Sequence, residues 1–132
     1  MPVHSTLRPV TLLAVLSRIA QCADIFVSPT GAGSGSIEDP LGSIQDAVDA
    51  AEAGDAIYLR AGTYGPTTNI QITKSGTSTA PISLGPYEDE QVTIDGEELP
   101  GTPYGVGESL PNDERGILHI EGANYWKFYK LE

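Results

Sequence analysis

Three short runs concentrate the chain's carboxylates: Glu88, Asp89 and Glu90; Asp95, Glu97 and Glu98; and Asp113 with Glu114, followed by Arg115. Clustered carboxylates are what a hard cation such as calcium takes as ligands, because it needs six or more oxygens around it. None of the runs has the Asp-x-Asp-x-Asp-Gly spacing with a distal Glu that marks a calcium loop. Adjacent acids on a turn read as a solvated face, with weak cation binding as the alternative. Lys74, Lys127 and Lys130 are the amines available as bases. An amine serves as a base near neutral pH only when burial or a neighbouring cation depresses its pKa. Nothing adjacent in sequence does so, and all three read as exposed lysines. His119 alternates with Leu118 and Ile120 and is expected to point outward; with no Ser or Cys partner it does not suggest nucleophilic catalysis. In "YWKFYKL", Trp126 and Phe128 share one face and are expected in the core. Tyr125 and Tyr129 share the other and are the candidates to stack on a sugar ring, and Tyr64 is expected to pack at a corner.

The elements that carry these residues are short and mostly extended. The 132 residues include 15 Gly and 10 Pro, a composition that suits a turn-rich β protein of one domain. "DIFVSP" reads as a strand ended by Pro29, and "TGAGSGSIEDP" as a loop. In "GSIQDAVDAAEAG" the period changes: Ile44, Ala47, Val48 and Ala51 form one narrow apolar stripe. A short helix over residues 43–53 is predicted, with Ser43 as N-cap, Asp46 in the first turn and Gly54 as its stop. Strand-like runs follow near Ile57, Ile70, Ile82, Val92, Leu118 and Trp126. From Ile57 to Ile82 is 25 residues and from Ile70 to Val92 is 22. Strands recurring at that interval suit a solenoid whose coils stack in parallel, with Ile57 and Ile82 stacked inside. Parallel stacking also accounts for the lack of tight hairpin turns, although an antiparallel sandwich has a similar strand spacing.

The net charge of −11, from 7 Lys and Arg against 18 Asp and Glu, argues against nucleic acid or an anionic membrane as a partner. At the N-terminus, Arg8 precedes the apolar "VTLLAVL", which is too short to span a bilayer. Ala20 and Cys22 are the small residues expected before a cleavage site. Residues 1–22 therefore read as a secretory signal peptide cut after Cys22 or Ala23, with an amphipathic helix as the alternative. Removing them takes away Arg8, Arg18 and the one cysteine, leaving 5 basic and 18 acidic residues and a net charge of −13. The remainder then has no thiol for a disulfide, a nucleophile or a metal.

Taken in order, "DIFVSPTGAGSG", "SIQDAVDAAEAGDAIYLRAGTY", "NIQITKSGTSTAPISLGPY" and "VTIDG" resemble the N-terminal section of secreted proteins of the pectate-lyase-like superfamily. The likeness is greatest to polysaccharide lyase family nine and its relatives, and it runs from Asp24 to the last residue. It implies an all-β fold: a right-handed parallel β-helix, a single-stranded solenoid of the pectin-lyase-like kind. Residues 24–132 would be its N-terminal cap and first coils, with the short helix covering the open end of the core. The chain stops inside a strand-like run, so the solenoid is expected to be incomplete here, and its uncapped edge near Leu131 is expected to aggregate. The family's reaction is β-elimination on a uronic-acid polymer: a base removes the C5 proton while calcium on the carboxylate stabilises the developing charge. The family's calcium aspartates and its basic residue lie on middle coils, expected after Glu132. No catalytic, cofactor or metal residue is therefore assigned in this sequence. The complete protein is expected to use calcium, to bind a pectate-like acidic polysaccharide, and to be a secreted monomer. A non-catalytic β-helix that binds carbohydrate or sits on a surface, and a β-helix glycoside hydrolase, are the alternatives.

Overall fold

The computed structural model describes residues 22–99 and 116–131. Eight short strands and one helix follow in order: β1 Asp24–Val27, α1 Ile44–Ala50, β2 Ala56–Leu59, β3 Gly62–Tyr64, β4 Ile70–Ile72, β5 Ile82–Pro86, β6 Val92–Ile94, β7 Leu118–Ile120 and β8 Trp126–Phe128. They form three parallel sheets, ordered β1-β2-β5-β8, β3-β6 and β4-β7. The chain visits each sheet once per turn, so β2, β3 and β4 make one coil and β5, β6 and β7 the next. This is the right-handed parallel β-helix expected from the sequence.

Strand alternation sends every second residue inward. Ile57, Leu59, Ile70, Ile72, Ile82 and Leu84 are fully buried and form a continuous core with Val27, Val48 and Tyr64. The ladder sets Ile25, Ile57 and Leu84 at the same level in three successive strands, with Phe128 beside Leu84 in the fourth. Two expected alignments are corrected here. Ile57 pairs with Leu84 rather than Ile82, so the coil repeat in this sheet is 27 residues (57 to 84) rather than 25. Ile70 pairs with Leu118 rather than Val92, which instead pairs with Gly62. The reason is the connection lengths. Residues 65–69 join β3 to β4, whereas residues 95–117 join β6 to β7.

The predicted helix forms but is shorter than residues 43–53. Ser43 caps it, its hydroxyl accepting from the Asp46 N–H at 3.3 Å, and Ile44, Ala47, Val48 and Ala51 are buried as expected. Ala51 is already extended, and Gly54, at φ +91°, belongs to the turn that follows. In that turn the Glu52 N–H donates to the Asp55 carboxylate at 2.8 Å, which redirects the chain into β2.

The helix covers the end of the core but does not act alone. Its Gln45 side chain accepts from the Gln71 N–H at 2.7 Å and donates to the Gln71 carbonyl at 3.0 Å, as a neighbouring strand would. The glycine-rich loop serves β1 in the same way. Phe26 N–H donates to the Gly35 carbonyl, Leu41 N–H to the Phe26 carbonyl, and Ser28 N–H to the Leu41 carbonyl, all at 2.8–2.9 Å. Loop glycines make this close approach feasible; a Cβ at Gly33 would overlap the Asp39 carboxylate.

Leu84 is enclosed on every side, whereas Ile120, with the same inward parity, is 48% exposed. Leu84→Ala is expected to cost about 2–5 kcal/mol in urea unfolding. Ile120→Ala is expected to cost about 1 kcal/mol or less, because little area leaves water there. Equal costs would contradict the stacked core.

Candidate functional site

The outer face of the β1-β2-β5-β8 sheet carries a group of polar and aromatic side chains. Phe26 and Tyr58 are register partners, so both face outward from adjacent strands. Their rings lie 5.4 Å apart, and Tyr87, just past β5, lies edge-on to both at 5.3 and 5.6 Å. The Arg60 guanidinium sits 5.3 Å from the Tyr87 ring centre, within cation–π range. Its Nε donates to both oxygens of Glu90, at 3.2 and 2.8 Å. That hydrogen bond raises the Arg60 pKa further above its usual value. No motif marks this cluster; its one signal in the sequence is an aromatic at the outward position of both "DIFV" and "AIYL".

The acidic run at 88–90 does not converge. Glu90 turns to Arg60, while Asp89 turns to Lys130 Nζ at 2.9 Å. The hydrogen bond from Lys130 holds the exposed Asp89 carboxyl below the usual carboxylate range. Glu88 occupies the corner at φ +52°. In the second run, Asp95 accepts from the Glu97 N–H at 3.0 Å, a local turn, and Glu97 and Glu98 are exposed. Asp113, Glu114 and Arg115 lie outside the described residues. Among the described residues no three His, Cys, Asp or Glu side chains come together around a point. The carboxylates seen here do not fit a calcium ion.

Of the three amines, Lys127 and Lys130 are exposed as expected and Lys74 departs from the expectation. Lys74 is not an ordinary exposed lysine. Its ammonium donates to the carbonyls of Asp49 and Ala51 and lies 3.4 Å from Glu52, so it caps the C-terminal end of α1, where the helix dipole favours a cation. Lys130 pairs with Asp89, and Lys127 is exposed on β8. His119 sits beside Gln71 on the outward face as expected. Its side chain is nonetheless only 15% exposed, with Nε2 3.3 Å from Glu121.

Trp126 and Phe128 continue the inward columns of Ile82 and Leu84, with their rings stacked at 5.7 Å. Trp126 packs partly buried against the core, whereas Phe128, expected in the core, is 37% exposed. The Trp126 indole donates to the Lys74 carbonyl at 2.7 Å. Tyr125 is 56% exposed but sits at φ +58°, on the corner before β8 rather than on its outer face. Tyr129 lies flat over Gly85, where a Cβ would come within 2.5 Å of the ring, and partial burial raises its pKa. Tyr64 packs at a coil corner as expected, its hydroxyl donating toward the Val27 carbonyl at 2.9 Å and the Arg60 carbonyl at 2.7 Å. Together these residues supply stacking faces and ion pairs, without an acid–base pair or a ligand set.

The profile of the family described as Pel9A-like, right handed beta helix region, matches residues 25–132. Pectate lyase PEL9 of Emericella nidulans is 58% identical over 127 residues, which are 95% of this chain and 31% of that protein. The crystal structure of pectate lyase Pel9A superposes with a TM-score of 0.61 and 25% identity, over 83% of this chain and 27% of that one. A structure described as a glycoside hydrolase superposes with a TM-score of 0.52 and 26% identity, over 57% of this chain and 15% of that one. The chain thus spans about a third or less of the length of these relatives.

Burial pushes the Tyr64 phenol up to about 12 from its ordinary 10. The unfolded chain therefore loses this proton first as pH rises. The stability linked to Tyr64 is complete below pH 10 and is lost as pH rises to about 12. Tyr64→Phe is expected to lower stability at neutral pH by about 1–3 kcal/mol, since two carbonyls lose their donor. It should also flatten the decline between pH 10 and 12. Urea midpoints measured across that range check both, and an unchanged slope would refute the assignment.

Proposed function

The chain belongs to the Pel9A-like right-handed β-helix family, and from that membership we propose that it forms the N-terminal cap and first coils of a secreted polysaccharide lyase. The proposed substrate is pectate or a related acidic polysaccharide, cleaved by β-elimination with calcium as cofactor of the whole protein. The observation that carries this reading is the 58% identity to a pectate lyase across 95% of the chain. Among the described candidate acids, Asp89 and Glu90 are held in ion pairs and Asp95 in a turn, so we place the catalytic base and the calcium ligands on coils beyond Glu132. Residues 1–22 serve, on the same reading, as the export leader. The contribution of this segment is then architectural: it starts the three ladders and closes the core beneath the coils that carry the chemistry. A glycoside hydrolase is the second reading, favoured by the superposition on a structure of that description.

The test is to assay the 132-residue chain beside its in-frame genomic continuation on polygalacturonate, with calcium and with a chelator. The continuation is expected to release unsaturated sugar ends in calcium only, and the 132-residue chain none. Unsaturated product from the shorter chain at enzymatic rates would show that the chemistry is not placed downstream. Reducing ends without unsaturation would favour the hydrolase, and no product from either a non-catalytic β-helix.

A further inference from the structure

We infer that maturation cuts the chain between Cys22 and Ala23, and that the α-ammonium so formed pairs with the buried carboxylate of Asp55. Asp55 is the one buried charged residue among the described residues, at 5% exposure. Its Oδ2 accepts from the Glu52 N–H at 2.8 Å and its Oδ1 from the Ala23 N–H at 2.8 Å. The ion pairs among the described residues are Arg60–Glu90, Lys74–Glu52, His119–Glu121 and Lys130–Asp89, so none supplies a cation to Asp55. A buried carboxylate with hydrogen bonds but no opposite charge is costly. Hydrolysis at the Cys22–Ala23 bond supplies the missing charge in place. Water adds across the amide, the acyl carbon becomes the Cys22 carboxylate, and the nitrogen leaves as the Ala23 amine, protonated near neutral pH. The same nitrogen, 2.8 Å from Oδ1, then makes a charge-assisted hydrogen bond.

The geometry also chooses between the two cleavage positions that the sequence allows. The Ala23 carbonyl accepts from the Ala56 N–H at 3.0 Å, so the residue is held at both its donor and its acceptor. A cut after Ala23 would remove both bonds and leave Asp55 Oδ1 without its donor. A cut before Ala23 keeps both and discards Cys22, which is exposed. Ala20 and Cys22 then occupy the two small-residue positions of the cleavage site. The inference rests on the leader reading and is independent of the lyase reading.

The test begins with the full chain secreted from a eukaryotic host, its N-terminus read by intact mass and sequencing. A start at Ala23 is expected; a start at Asp24, any other start or a retained leader overturns the inference. The pair is then read by selective acetylation of the α-amine, which removes the charge but keeps an N–H. Acetylation is expected to lower Tm by about 4 °C or more in the wild-type chain, and to leave Tm unchanged in Asp55→Asn. Equal shifts in both, or none in either, refute the ion pair. Should Asp55→Asn fail to fold, relative reactivity on the wild-type chain decides. An unpaired α-amine is less protonated than a lysine at pH 7 and acetylates faster. Pairing with Asp55 reverses that order, so Ala23 is expected to react more slowly than the exposed Lys127. Faster reaction at Ala23 refutes the pair.

Discussion

Every parallel ladder has a first strand with nothing beneath it, and the rest of the structure depends on how that edge is closed. A strand's outward N–H and C=O groups must find partners or meet water, and an open edge also recruits other chains. At β1 and β4 the closure is made by a nearby segment that is not itself a regular strand. The loop at 35–41 bonds to β1, and the Gln45 amide bonds to both polar groups of Gln71 in β4. Asp55 joins the helix exit to the start of β1 through one carboxylate. Once these contacts are set, each later coil needs only to follow the register below it.

The helix takes part on the same terms. Its stripe is small, so it can lie close against β1 and β4, but seven residues are too few to be stable by propensity alone. Ser43 at one end and Lys74 at the other satisfy its termini, and Lys74 comes from the far end of β4. The Lys74 carbonyl in turn accepts from Trp126 in β8, the fourth strand of its sheet. The cap and the upper coil therefore share a residue, and disturbance of either reaches the other.

Much of this was legible in the sequence because side-chain parity survives errors of register. Counting from Ile57 to Ile82 missed the true partner by two residues, yet a shift of two keeps every side chain on its face. That is why the core was identified although the repeat length was not. The Ile70–Val92 pairing failed for a different reason. Solenoid corners accept loops of almost any length, so the span 95–117 hid the real partner of Ile70. Strand β3 is not visible in the sequence, because "GTY" is too short to show a period. At the candidate site, type and parity place Tyr64 at its corner and Trp126 and Phe128 on the inward face, but they do not foresee that Phe128 is left 37% exposed. Lys74 and Asp55 were not placed in this way, since their partners lie up to 32 residues away and answer to backbone groups rather than to a motif.

The acidity of this segment bears on how a polyanionic substrate could be tolerated. Without the leader, a net charge of −13 (5 basic against 18 acidic residues) repels pectate if all of it is counted at once. Two considerations reduce that. Glu90 and Asp89 are neutralised locally by Arg60 and Lys130 on the face where they would otherwise add. Distance then does more, because successive coils stand about 4.8 Å apart, and salt screens charge beyond about 8 Å at physiological strength. On the proposed reading, a binding groove a few coils above lies outside the field of these carboxylates. On that reading their placement in the first coils does not oppose chemistry on the coils above.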